Sequence, residues 1–194
     1  MIAVRRPTDD VIHAFVADQE RSALSYGTPG LSAMPPPQGF SADAHRVAIG
    51  RGPHAFEVAC DALRSWRPLK LGWVELYPPN PTMREGTVVA LLARHFGLWS
   101  LNACRIVEII AEQSEVRRFG FAYGTLEGHV ERGEERFVVE LDPATDTVWY
   151  HIRAVSQPRA LLARLAFPVA RALQAKFRAG SGRAMGAAVE EGAG

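Results

Sequence analysis

A histidine and two glutamates stand close together in RFGFAYGTLEGHVERGEERFVVEL, residues 118–141. His129, Glu131 and Glu135 are residue types that carry protons. Read as chemistry, His129 is a general acid/base oriented by Glu131 or Glu135, in a hydrolytic or proton-transfer enzyme. A metal site is the other use for a histidine among carboxylates. Read as structure, Gly128 and Gly133 mark a turn or bulge in which the charges are solvated. The spacing also lacks the His/Cys pattern of a structural metal site, so no metal and no cofactor is expected.

Glu135 differs from its neighbours, because strand alternation places it on one face with Phe137, Val139 and Leu141. If that face is interior, Glu135 needs a partner, and Arg105 is the partner the sequence offers. In NACRIV (102–107), Asn102, Cys104 and Ile106 share one face; Ala103, Arg105 and Val107 share the other. A buried Arg105–Glu135 pair is either a structural tie or the polar anchor of a pocket. Asn102, near Trp99, carries the same two readings. In FGFAYGTL, Phe119, Phe121, Tyr123 and Thr125 point one way and Gly120, Ala122 and Gly124 the other. The bare side suits a close-lying helix, or a ligand or second backbone approaching it. Trp66, Trp73, Trp99 and Trp149 read as core, with stacking on a flat ligand as the second reading. No GxSxG elbow, P-loop or GxGxxG occurs, so no known nucleophile or phosphate-binding motif is present.

These residues need elements to hold them. Thr8 can cap a helix starting at Asp9, and a Gly/Pro-rich arm follows it. Residues 43–50 alternate as a strand. Gly52 and Pro53 then open a helix whose Phe56, Cys60 and Leu63 share a face, and Pro68 stops it. Residues 71–77, 87–96, 100–110, 116–126, 135–141 and 147–155 read as six consecutive strands. Ser156 and Pro158 suit the start of a last helix, with Leu162, Leu165, Ala166, Val169, Leu173 and Phe177 as its apolar stripe. Pro168 is expected to break that helix near Ala166 or Phe167.

A strand, a helix, six antiparallel strands and a long helix form an α+β pattern. It is that of the helix-grip (START/Bet v 1-like) fold, a seven-stranded antiparallel curved sheet wrapping a long C-terminal helix. The expected organisation is an N-terminal helix and Pro/Gly-rich arm over 1–40, the helix-grip domain over 41–180, and a flexible tail over 181–194.

The stretches LGWVELYPP, HFGLWSLNACRIV, FGFAYGTLEGHVERGEERFVVE and VWYHIRAVSQP resemble uncharacterised protein family 0548, a bacterial and plant domain of unknown function. The resemblance runs from about Tyr26 to about Met185. It implies no established activity, substrate or cofactor.

The chain has 194 residues, 47% of them hydrophobic, and a net charge of +1. That is enough for one core, and it gives no global reason to expect nucleic acid. Cys60 and Cys104 read as two buried free thiols in a reducing compartment, or as one disulfide. The N-terminus has no secretory h-region, and no apolar run approaches the roughly 18–20 residues of a membrane span. A cytoplasmic location is expected.

Three functions follow. The first is binding of a small apolar or amphipathic molecule between sheet and C-terminal helix. Phe119, Phe121, Tyr123, Phe137 and Val139 would form the apolar wall, with Asn102, Arg105 and Glu135 as polar contacts. The second is the His129 enzyme above. The third is peripheral contact with a membrane or a protein through a basic helix carrying Arg159, Arg164, Arg171, Lys176 and Arg178.

Overall fold

The structure is a computed structural model and describes residues 1–158 and 167–192, residues 167–170 by backbone alone. The expected strands and helices form in the expected order. They are β1 (Ile2–Ala3), α1 (Asp9–Gln19), β2 (Ser41–Arg51), α2 (Gly52–Arg64), β3 (Val74–Tyr77), β4 (Val88–His95), β5 (Leu98–Gln113), β6 (Arg117–Thr125), β7 (Glu131–Asp142), β8 (Thr147–Pro158) and α3 (Phe167–Gly192). Neighbouring strands pair antiparallel in the order β2-β8-β7-β6-β5-β4-β3.

Beyond the seven expected strands there is an eighth. β1 pairs with the start of β5, Ile2 opposite Ser100 and Ala3 opposite Trp99. The terminal ammonium donates to the Leu101 carbonyl at 2.8 Å. Two residues are too few to show a period, so the sequence pattern does not reveal this strand.

Alternation gives each strand an inner and an outer row. The inner rows face α2 and α3. At the α2 end they are filled: Phe56, Leu63, Trp66, Phe121, Phe137, Val139 and Tyr150 are all buried in one cluster. Phe121 and Phe137 stack at 5.0 Å, with Trp66 tilted against Phe121 at 5.0 Å.

The outer row is covered too. Ile12 of α1 packs on Ala90, Leu92 and Leu101, with Phe15 and Val16 alongside. The arm after α1 crosses β6 and β7. At Gly124 an added Cβ would lie 2.2 Å from the Tyr26 hydroxyl, so the bare side of β6 exists there to admit the arm. The approaching group is thus part of the chain itself.

Two expectations about the C-terminal region are corrected. Ser156 and Pro158 do not open a helix. β8 continues through both, with Ser156 opposite Gly133 and Pro158 opposite Glu131. The pull is pairing with β7, which begins earlier than its apolar run and so extends its partner. Residues 181–192, read as part of a flexible tail, are the last turns of α3. Ser181, Met185 and Val189 are buried there, and the Ser181 hydroxyl meets the Tyr150 hydroxyl at 2.8 Å. The expected stripe residues Leu162, Leu165 and Ala166 lie outside the described residues, as do the approach to Pro168 and the cations Arg159 and Arg164.

Candidate functional site

Among the described residues, the half of the sheet farther from α2 is not filled. A cavity of about 860 Å³ lies between it and α3. Inner-row residues form its wall: Leu91 and Ala93 of β4, Ser100 and Asn102 of β5, Tyr123 and Thr125 of β6, and Ala154 and Ser156 of β8. Trp73 closes one side, and Leu173, Gln174, Phe177 and Arg178 of α3 close the top. Most of the lining surface is apolar, and its ionisable groups include Glu131 and Glu135 of β7, Arg178 of α3, and His95 and His129.

Glu135 is the central one. The Tyr123 hydroxyl donates to it at 2.7 Å. Burial pushes the Glu135 carboxyl up to about 7, partly offset by the Tyr123 hydrogen bond and the Arg178 charge. Burial, then the Glu135 charge, holds the Tyr123 hydroxyl well above its ordinary value. The part of Glu135 not covered by protein atoms faces the cavity, so it stays poorly solvated.

Glu131 lies four residues earlier in the same row. It accepts from Ser156 Oγ at 3.1 Å and from Gln174 Nε2 at 2.9 and 3.0 Å. Burial raises its carboxyl as well. Gly133 separates the two acids, and a Cβ there would lie 2.1 Å from the Val155 carbonyl oxygen. The inner row therefore carries no side chain between them, which keeps the cavity open at that point.

His129 lies on the cavity wall, as the chemical reading required. Its Nδ1 sits 3.0 Å from both the backbone N–H and the carbonyl oxygen of Glu131. Glu131 thus orients the ring through its backbone, while its carboxylate serves Ser156 and Gln174. Asn102 also reaches the wall and accepts from the Val130 N–H at 3.3 Å.

Arg105 is not the partner of Glu135. It points to the outer face, where its guanidinium donates to the Gln19 and Glu20 carbonyls at 3.4 and 2.9 Å. A cation there satisfies the open carbonyls at the C-terminus of α1. Phe121, Phe137 and Val139 belong to the filled half, and Phe119 lies under the Arg64 guanidinium at 4.2 Å. Of the expected apolar wall, only Tyr123 reaches the cavity. Trp66 is core, Trp99 packs near α1, Trp149 lies under Arg46, and Trp73 alone of the four lines the cavity.

Glu134 went unread as a site residue. It is buried on the outer face and accepts from the Tyr26 hydroxyl at 2.8 Å and from the Gly30, Leu31 and Ser32 N–H groups at 3.0, 3.2 and 3.0 Å. The Ser32 hydroxyl donates to it as well. The Gly/Pro-rich arm gave the clue: a segment with no strand or helix ladder needs partners for its N–H groups.

Of the basic helix, Arg171 and Arg178 both reach Asp43 of β2, and Lys176 lies 4.9 Å from the centre of the Trp73 ring. Cys60 and Cys104 are free and buried, and burial pushes the Cys60 thiol up to about 12. Among the described residues no group of His, Cys, Asp and Glu side chains gathers to hold a metal ion, and no helix is long and apolar enough to cross a membrane.

A family model described as Domain of unknown function (DUF1990) matches residues 12–184. The chain belongs to the DUF1990 family. Relatives named UPF0548 protein agree. The one from Deinococcus radiodurans is 37% identical over 187 residues, covering 90% of this chain and 91% of that protein. The one from Dictyostelium discoideum is 34% identical over 195 residues, covering 91% and 90%. The one from Arabidopsis thaliana is 30% identical over 151 residues, covering 76% and 72%. The resemblance carried by the NACRIV and FGFAYGTLEGHVERGEE stretches is thereby established. Among solved structures, the ZhuI aromatase/cyclase from Streptomyces sp. R1128 aligns with a TM-score of 0.54 at 16% identity, over 78% of this chain and 94% of that one. A hypothetical protein from Helicobacter pylori, jhp0584, aligns with 0.53 at 13% identity, over 86% and 96%. These likenesses show that this DUF1990 protein has the helix-grip fold.

Proposed function

We propose that the protein binds a small apolar or amphipathic molecule in the cavity between the sheet and α3. The observation that carries this reading is the cavity itself, about 860 Å³, within the range of roughly 300–1,000 Å³ typical of small-molecule sites. Its apolar wall suits a hydrocarbon or aromatic body. Glu135, Glu131, Asn102 and Arg178 supply the polar contacts that orient a head group. Native mass spectrometry of the purified protein, followed by solvent extraction, tests for a retained molecule. Titration with N-phenyl-1-naphthylamine, an uncharged probe that brightens in apolar surroundings, tests the cavity directly. A saturable rise at one site per chain is expected. No rise, together with a clean apo mass, would sink the reading.

A second reading has its own observation. A carboxyl held near 7 and facing an apolar cavity is poised to give or take a proton at physiological pH. In that reading Glu135 is the proton carrier, Tyr123 its hydrogen-bond donor and His129 an imidazole on the same wall. The reaction would be a proton transfer or hydrolysis on a molecule that the cavity already binds. It stands or falls on whether Glu135→Gln abolishes a turnover while leaving probe binding intact.

A further inference from the structure

Five apolar side chains are exposed at one end of the sheet: Ile2 at 63%, Val4 at 77%, Phe96 at 76%, and Leu98 and Val130 at 38% each. They come from three separate segments, the N-terminal strand, the β4–β5 turn and the β6–β7 turn. The pairing brings them together. Ala3 lies opposite Trp99, so antiparallel register carries Val4 on towards Leu98. Asn102 ties the Val130 N–H to β5 at 3.3 Å. Ile2 and Val130 also line the cavity. Ile2 and Val130 therefore stand at its mouth, and Val4, Phe96 and Leu98 continue that exposed apolar edge at the β4–β5 turn. Scattered surface hydrophobes need no explanation, but an apolar edge beside an apolar cavity does.

Three cations stand beside it. Arg5, Arg94 and Lys176 are exposed. Arg94 leans over the Trp99 ring at 5.8 Å and Lys176 over the Trp73 ring at 4.9 Å. Among the described residues none of these three cations is in an ion pair. Of the acids near this end, Asp9 and Glu75 pair with Arg6, and Glu127 is exposed on the β6–β7 turn. An apolar tip flanked by cations is the surface chemistry of a protein that sits on an anionic bilayer.

We propose that this edge docks on an anionic lipid surface, with Phe96 at the tip entering the headgroup boundary and the cavity mouth turned towards the membrane. This site takes Lys176 from the basic face of the last helix but is centred on the end of the sheet, and it does not depend on what the cavity holds. If the ligand-binding reading is also right, docking places the mouth where an apolar ligand is most concentrated.

The test is flotation of the full chain with vesicles of phosphatidylcholine alone or with phosphatidylserine added, at low and high salt. Phe96 has φ +49, a left-handed conformation that asparagine tolerates well, so Phe96→Asn makes the tip polar without disturbing the turn. Val4→Thr keeps β-branching. The wild type is expected to float with phosphatidylserine vesicles at low salt, and less so at high salt. The double variant is expected to lose roughly ten-fold in bound fraction, with unchanged melting temperature and probe binding. No flotation of the wild type would overturn the proposal, as would undiminished flotation of the double variant. So would a concentration-dependent dimer that Phe96→Asn abolishes, since the edge would then be a protein interface. Because probe binding is read separately, loss of docking and loss of the cavity are distinguishable.

Discussion

Glu134 and Glu135 are adjacent in sequence and do unrelated work because a strand sends them to opposite faces. Glu135 enters an apolar cavity with the Tyr123 hydroxyl as donor. Its folded pKa of about 7 lies above the ordinary 4.5. The folded state therefore holds the proton more tightly than the unfolded chain. Stability from this group is fully present below about pH 4.5 and is lost as pH rises to about 7, a cost of about 3 kcal/mol above that. Glu135→Gln removes the penalty. The variant is expected to gain stability relative to wild type at pH 8 and to match it at pH 4.5, read by denaturant unfolding across that range. Glu134 serves the arm instead. Glu134→Gln replaces one acceptor oxygen by an amide that faces donors, and is expected to cost about 2–3 kcal/mol. Hydrogen exchange should speed up at Gly30, Leu31 and Ser32, with proteolysis opening at the Gly/Pro-rich segment. Alternation in the sequence put Glu135 in the right row, with Phe137 and Val139. It failed for Arg105 because α1 makes the outer face of β5 as apolar as the inner one. Ala103 and Leu101 are buried outside while Cys104 and Ile106 are buried inside, so polarity no longer marks the interior.

At the scale of elements, the boundary between β8 and α3 and the end of α3 were the parts hardest to read. The composition of AGSGRAMGAAVEEGAG suggests a frayed tail because it is rich in Gly and Ala and Met185 is its one large apolar residue. The small residues are there for close approach. A Cβ on Gly182 would lie 3.2 Å from Val47 Cγ1, and one on Gly50 would lie 2.8 Å from Val189 Cγ1. The helix lies low on the sheet, and Met185 and Val189 complete the core cluster with α2. Met185→Ala is expected to cost about 2–5 kcal/mol, lowering the melting temperature by several degrees, whereas a frayed tail would give no change. The strands were easier. Each carries a period of two between turn residues, and the DPATD hairpin loop fixes the last pair. What the sequence does not signal is extension by pairing, which lengthens β7 and β8 beyond their apolar runs.

At the scale of the whole molecule, the described residues divide the space between sheet and helices into a filled half and a hollow half, and Tyr123 stands at the border. Phe121 and Phe137 are fully buried on one side of it. Ala93, Ala154 and Gly133 face the cavity on the other. The hollow half follows from small residues in the inner rows, a feature visible only once the strands are in register. This division gives opposite expectations for two changes of similar size. Phe137→Ala removes a ring from close packing and should cost about 3–5 kcal/mol, with no specific effect on the cavity beyond that instability. Ala154→Trp adds a ring on the cavity wall. Its cross-strand neighbours are Glu135 of β7 and Asp43 of β2, and the cavity in front of it gives the indole room and contacts of its own. The melting temperature should hold within a few degrees, while N-phenyl-1-naphthylamine binding falls at least ten-fold. If Ala154→Trp instead destabilises as a core insertion does, the hollow half is closed in solution and the chain keeps no room for a ligand. If it is stable and still binds the probe, the binding site lies elsewhere, and the Glu135 wall loses its claim to it.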